Sequence, residues 1–260
     1  MRKILGCIRK ADNDFNLITD NDRIAVGVSG GKDSMILLRA LSLYRLFSHK
    51  TFTVVGIHIK LGFPNMDFSE VIDFCKKNDI EFHMYDSQVY EILKLNANDD
   101  GSLKCSLCSK FKKAAVIEEA KKLNCNKVAF GHHSDDAVET LLMNAIYGGR
   151  LATFKPIMYL SRTDITFIRP LIYAYETDIR KAMNKEAIPF VKSTCPNDGY
   201  TQRQEMKDML NYIYKKFPNS QSNLLLMLSN MEQLELWDKE EYKKDPKILS
   251  KEYEEKISKK

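Results

Sequence analysis

Apolar residues along the 260-residue chain alternate between a helical period and short continuous runs. Ile4, Leu5, Ile8, Phe15 and Ile18 recur at helical spacing and predict an amphipathic helix from Lys3 to Ile18. RIAVGVSGG, from Arg23, then reads as a nearly all-apolar strand ending in glycines, and DSMILLRALSLYRLF begins a helix at once. TFTVVGIHI, IEFHMYD and NKVAFGHH predict three further strands. FSEVIDFCKKN, FKKAAVIEEAKKLN and SDDAVETLLMNAIYGG predict the helices that separate or follow them. Continuous apolar strands are expected when helices cover both sheet faces, and strands alternating with helices predict a parallel α/β sheet. Ligands of such sheets sit at the carboxyl ends of the strands, where SGGKDS and GHHSDD fall here.

Beyond Arg150 the pattern changes. FKPIMYLSRTDITFIRPLIY predicts an extended pair, ETDIRKAMNKEA a helix, and residues 202 to about 236 two more helical stretches. The chain thus divides into an N-terminal helix (1–20), an α/β domain (21–200), C-terminal helices (201–237) and a charged tail (238–260). The tail, with eight Lys and seven Asp or Glu, is nearly neutral.

Composition narrows the class only a little. Six cysteines are too few for a disulfide-stapled scaffold, so clustered ones are read as thiols. No apolar run approaches the roughly 20 residues that span a bilayer. The apolar stretch after Arg2 and Lys3 is cut at Arg9, too short for a secretory signal, so a cytoplasmic, membrane-free protein is expected. A net charge of +5 permits a nucleic-acid partner without demanding one.

Three motifs carry chemistry. In Ser29-Gly30-Gly31-Lys32-Asp33-Ser34 the glycines let backbone approach an anion, the following helix offers free amides, and Lys32 adds charge. This is a phosphate cradle in composition, although it lacks the G-x-x-x-x-G-K-[ST] spacing; the plainer alternative is a capped strand-to-helix turn. Gly131-His132-His133-Ser134-Asp135-Asp136 ends the fourth strand, beside the first turn by topology. Its adjacent carboxylates suit Mg2+ or proton transfer, or else cap the helix; a His/Asp zinc site is a weaker option. Cys105-Ser106-Leu107-Cys108 brings two thiols together, and Cys195 is the other cysteine in a polar loop setting. Cys7, Cys75 and Cys125 read as small core residues. Three thiolates leave one position of a metal centre open, whereas a closed structural zinc site uses four.

SGGKDS after a buried strand resembles the signature of the PP-loop ATP pyrophosphatases, whose sheet is Rossmann-like and which split ATP into AMP and diphosphate to activate a carbonyl oxygen. With CSLCSKFKK, GHHSDDAVETLLMNAIYGG, IRPL and a cysteine seven residues before Gln202, the chain from Arg23 to Leu228 resembles the TtcA-like tRNA 2-thiolation enzymes. The resemblance implies that Ser29, Gly30, Gly31, Lys32, Asp33, Ser34 and Gly131 hold ATP and its Mg2+, with His58 near the adenine. It also implies that Cys105, Cys108 and Cys195 bind a [4Fe-4S] cluster, that Asp33, Asp135, Asp136 and Lys112 serve the chemistry, and that chains pair as homodimers. The family pattern usually has a second C-x-x-C at the late cysteine. Here Cys195 stands alone in a Ser-Thr-Cys-Pro context shared with lysidine synthetases.

The implied reaction is adenylation of the C2 oxygen of a tRNA pyrimidine, with an anticodon-loop cytidine expected, followed by sulfur transfer. The sulfur would come from a cysteine desulfurase or free sulfide. Thiolation of a uridine, a lysidine-synthetase-like ligase and a zinc-stabilised RNA-binding module are the alternatives. Around the C-x-x-C pair, residues 104–122 carry six lysines against two glutamates, where an RNA backbone would be attracted.

Overall fold

The computed structural model of the chain describes residues 1–63, 66–98, 103–192, 194–195, 202–230 and 236; the charged tail 238–260 therefore lies outside the described residues. Helix α1 (Arg2–Phe15) stops short of Ile18 because Asn16, at φ 46°, takes the left-handed conformation that ends helices. Leu17 and Ile18 are still buried, and the Ile18 amide donates to Asp12 Oδ1 at 2.9 Å.

Strands β1 (Asp22–Gly27), β2 (Phe52–Lys60), β3 (Glu81–Asp86), β4 (Lys127–Ala129), β5 (Ile157–Leu160) and β6 (Ile165–Ile168) form one sheet of order β3-β2-β1-β4-β6-β5. All neighbours pair in parallel except β5, which returns antiparallel to β6 as an edge hairpin. The sheet is thus mostly, not wholly, parallel: a short Ser-Arg-Thr-Asp turn connects β5 to β6, and such a connection permits only antiparallel pairing.

Helices α2 (Lys32–Tyr44) and α3 (Ser69–Lys77) cross between β1, β2 and β3, while α4 (Val89–Leu95) and α5 (Cys105–Lys122) lie between β3 and β4. Helix α6 (Ser134–Gly148) follows β4, α7 (Glu176–Lys185) follows β6, and α8 (Gln202–Lys216) and α9 (Ser220–Met227) come last. Strand β1 shows why its sequence lacks alternation: Ile24 and Val26 join the core beneath α1, α2 and α7, while Ala25 joins the core beneath α5. Two helical features depart from the periodic reading. Helix α4 exists because Val89 and Leu93, one turn apart, bury against Leu103. Helix α5 starts at Cys105 rather than Phe111, so the C-x-x-C pair spans its first turn.

From β1 the order runs outward to β2 and β3 on one side and to β4 and β6 on the other. Crossovers leave the adjacent ends of β1 and β4 in opposite directions, which opens a crevice there. No helix among the described residues is long and apolar enough to cross a membrane.

Candidate active site

The turn after β1 is built tightly on one side and left open on the other. Gly30 has φ 92°, and a Cβ there would lie 2.9 Å from Phe68 and 3.1 Å from Val191, whose amide donates to the Gly30 carbonyl at 2.9 Å. Gly31 has no such constraint, since a Cβ would meet only Ser29 Oγ at 3.5 Å. Helix α2 has no side-chain cap, so its first amides keep their capacity for an anion. Ser34 braces the turn: its hydroxyl donates to the Gly31 carbonyl at 2.9 Å and accepts the Ser29 amide at 3.2 Å.

The second motif rests directly on the first. A Cβ at Gly131 would lie 2.8 Å from the backbone carbon and oxygen of Asp33, and 3.0 Å from the Ser34 nitrogen. Backbone meets backbone, and only glycine allows it.

Around this junction five acids face five cations. Lys32 Nζ lies 3.2 Å from Asp33 Oδ2 and 3.1 Å from Glu176 Oε1. Glu176 also meets Arg180 at 2.9 Å and Lys207 at 2.7 Å; burial pushes its carboxyl up, but these cations prevail and hold it at about 2. His133 Nε2 is 3.8 Å from Asp33 Oδ1 and 3.5 Å from Asp136 Oδ2, and its Nδ1 is 3.5 Å from Asp135 Oδ2. Burial opposes the imidazolium, yet the three carboxylates raise its pKa above the ordinary value. Arg203 Nη1 sits 3.3 Å from both Asp136 Oδ1 and Glu139 Oε2. Burial, with Asp136 adding to it, pushes Glu139 up to about 7.

The two adjacent aspartates do different things. Asp135 spends both oxygens on protein donors, accepting Gln221 Nε2 at 2.7 Å and the Glu176 amide at 2.8 Å, and so fastens α9 and α7 to α6. Asp136 accepts the His133 amide at 2.9 Å, as a helix-starting carboxylate does, and keeps an oxygen toward Arg203. Asp33 Oδ1 is buried and has no hydrogen-bond partner. Burial, reinforced by Asp136, raises the Asp33 carboxyl above the usual range against the pull of His133 and Lys32. An unsatisfied carboxylate oxygen beside a second carboxylate is the hard oxygen donor set that Mg2+ takes.

A cavity of about 490 Å3 opens from this junction, with Ser29, Gly31, His58, Lys112, Cys105, Cys108 and Cys195 on its walls. His58 Nδ1 donates to the Val28 carbonyl at 2.8 Å, and burial keeps the ring neutral by lowering its pKa. His132 also lines the cavity; burial takes it down to about 4, and its Nδ1 is buried without a partner. Burial raises the Cys108 thiol, Lys112 lowers it, and Cys195 and Cys105 raise it further, so the three sulfurs and the lysine act on one another. Among the described residues no three His, Cys, Asp or Glu are grouped to hold a single metal ion. A cluster spreads its thiolate ligands over several iron atoms, which suits a looser convergence. The remaining cysteines lie elsewhere: Cys75 and Cys125 are buried with thiols near 11, pushed up by burial, and Cys7 is half-buried against the Tyr173 carbonyl.

Every residue assigned to the site from sequence falls at this junction or on this cavity, although Asp135 spends its oxygens on holding α7 and α9. Glu176, Glu139 and Gln221 were not among them. Glu139 lies within GHHSDDAVETLLMNAIYGG, and Arg203 directly follows the Gln202 of the last motif; those positions are the signals that could have found them.

The PP-loop domain family matches residues 6–211 of the chain. A tRNA-cytidine(32) 2-sulfurtransferase of Pelobacter propionicus is 36% identical over 241 residues, 92% of this chain and 89% of its own. That of Geotalea daltonii is 37% identical over 240 residues, 92% and 95% of the two chains. Among solved structures, the U34-tRNA thiolase NcsA from Methanococcus maripaludis with its [4Fe-4S] cluster shares the fold, with TM-score 0.71, 21% identity and coverage of 92% of this chain and 80% of that one. The chain belongs to the PP-loop ATP pyrophosphatases and, within them, to the TtcA-like tRNA 2-thiolation enzymes.

Proposed function

We propose that this protein is a cytoplasmic tRNA sulfurtransferase that uses ATP and a [4Fe-4S] cluster to convert cytidine 32 of the anticodon loop to 2-thiocytidine. One observation carries the reading: two glycine turns in backbone contact share a cavity with three thiols and a lysine. A lysidine-forming ligase has no use for those thiols.

ATP would lie along Ser29–Ser34, its phosphates on the α2 amides and Lys32, its adenine toward His58. Asp33 and Asp136 would hold Mg2+. The C2 oxygen of the base attacks the α-phosphorus, diphosphate leaves, and C2 of the adenylated base becomes electrophilic. Lys32 and the metal site neutralise charge on the phosphates, and the rigid junction aligns them. Sulfide then adds at C2, and AMP departs with the original oxygen. With sulfide as donor, no external electrons are needed. Cys105, Cys108 and Cys195 would hold a cluster, which would supply iron chemistry for sulfur delivery. Lys112, one turn from Cys108, would stabilise negative charge at C2. The target base must be unpaired to present its C2 edge, as an anticodon-loop base is. Pairing of two chains through the exposed side chains of α8, α9 and the turn between them, among them Tyr212, Phe217 and Leu226, belongs to the same reading.

Nucleoside analysis of tRNA with and without the gene tests it. Loss of 2-thiocytidine is expected; unchanged 2-thiocytidine with loss of 2-thiouridine or lysidine would replace the reading. The backbone junction gives a second test. Gly131→Ala must push the two turns apart by several tenths of an ångström or more, and AMP formation is expected to fall about a hundredfold with iron content unchanged.

A further inference from the structure

A groove of about 1110 Å3 runs along α1, apart from the thiol-lined cavity, with Phe47, Tyr173 and Leu225 among its walls. Arg2, Lys3, Arg9 and Lys10 all line it. Lys3 pairs with Asp178 at 2.7 Å and Lys10 with Asp14, but Arg2 and Arg9 have no acidic partner among the described residues. Arg2, Gly6 and Arg9 follow one another at helical spacing on one face of α1, the two arginines rising about 10 Å apart along it. Gly6 is odd in that place. Glycine inside a helix lowers stability relative to alanine, and a Cβ here would meet nothing within 4 Å. No neighbour in the protein requires it, so the space above it is open to something outside. Phe47, half exposed, adds an apolar platform at the rim.

The groove and the site are linked through α9. Leu225 lies one turn after Gln221 on α9, and Gln221 donates to Asp135 Oδ1 at 2.7 Å. A substrate large enough to fill the site and extend beyond it would reach α1. Two unpaired guanidiniums flanked by ammonium groups suit a chain of phosphates, which arginine binds through paired N–H donors. A folded protein partner would bring both signs of charge, for which the groove has no matching pattern.

Resting on the reading of tRNA as substrate, we propose that this groove is a second contact surface for the tRNA backbone. Arg2 and Arg9 bind phosphates, and Gly6 lets the strand lie close against α1. Such contacts fix the register of the RNA without reading its sequence.

The test measures tRNA affinity against salt for the full-length protein, wild type and two variants, by fluorescence anisotropy. The Arg2→Gln/Arg9→Gln double variant is expected to bind roughly tenfold more weakly at physiological salt, with a log–log salt slope reduced by about 1.5. Gly6→Leu is expected to weaken tRNA binding by a similar factor without lowering the thermal midpoint, because leucine forms helix better than glycine. ATP affinity should be unchanged in both. Wild-type affinity and slope in the double variant would overturn the groove assignment alone. Failure of the wild-type protein to bind tRNA would overturn the substrate reading together with it.

Discussion

Asp33→Asn is expected to lower AMP formation about a thousandfold while leaving iron content and thermal midpoint near those of the wild type. The variant keeps the size and the hydrogen-bonding outline of the side chain, so the turn after β1 should survive. What it loses is charge at an oxygen that no donor in the described protein satisfies. Burial, reinforced by Asp136, holds the Asp33 carboxyl above its ordinary pKa even with Lys32 and His133 beside it, so a further cation at this oxygen would favour its charged form. Asp135→Ala should behave differently. Its oxygens accept Gln221 and the Glu176 amide, so removing them unfastens α9 and α7. Leaving those donors unsatisfied costs about 2 kcal/mol, read as a thermal midpoint lower by roughly 4–8 °C. An Asp33 variant that forms AMP at the wild-type rate would remove Asp33 from the metal site.

The sheet was legible because burial on both faces leaves a plain mark. Ile24, Ala25 and Val26 contain no polar residue since each side of β1 meets a helix layer. The site motifs were legible for a related reason: glycine in strand–turn–helix positions, and carboxylates at a helix start, are local signals. What escaped was whatever depends on distant partners. Gly131 was assigned to the nucleotide from its motif, but its strictest steric partner is the backbone of Asp33, nearly a hundred positions earlier. Glu176 reaches the turn only because α7 returns beneath it, and nothing in ETDIRKAMNKEA distinguishes that acid from a solvated one. The start of α5 was misplaced since Cys105–Ser109 lacks apolar periodicity; its first turn folds because Leu107 and Cys108 pack against Val89, Leu93 and Leu103. The antiparallel return of β5 likewise follows from its short turn, which the extended pattern alone leaves unspecified.

Cys195→Ser is expected to abolish stable cluster binding, leaving well under the roughly four iron per chain of anaerobically reconstituted wild type, and to eliminate thiolation. Cys105 and Cys108 sit three residues apart on the first turn of α5 and so share a face. Two thiolates on one short turn hold only one side of a cluster. The third must come from another part of the chain, and among the described cysteines the cavity offers Cys195, brought in by a segment whose Val191 amide is anchored on the Gly30 carbonyl. That anchor ties the segment bearing the third thiol to the turn after β1, so the proposed nucleotide site and the thiols would be set in one frame. AMP formation in the variant should therefore persist at a substantial fraction of wild type, since its donors lie on α2 and α6. Cys7→Ser, at a half-buried thiol against the Tyr173 carbonyl, should load iron fully. A full complement of iron in Cys195→Ser would break the three-thiolate assignment. Loss of iron in both variants would point instead to general instability. Iron lost only with Cys195 would leave the lone late cysteine sufficient, where the family pattern ordinarily has a pair.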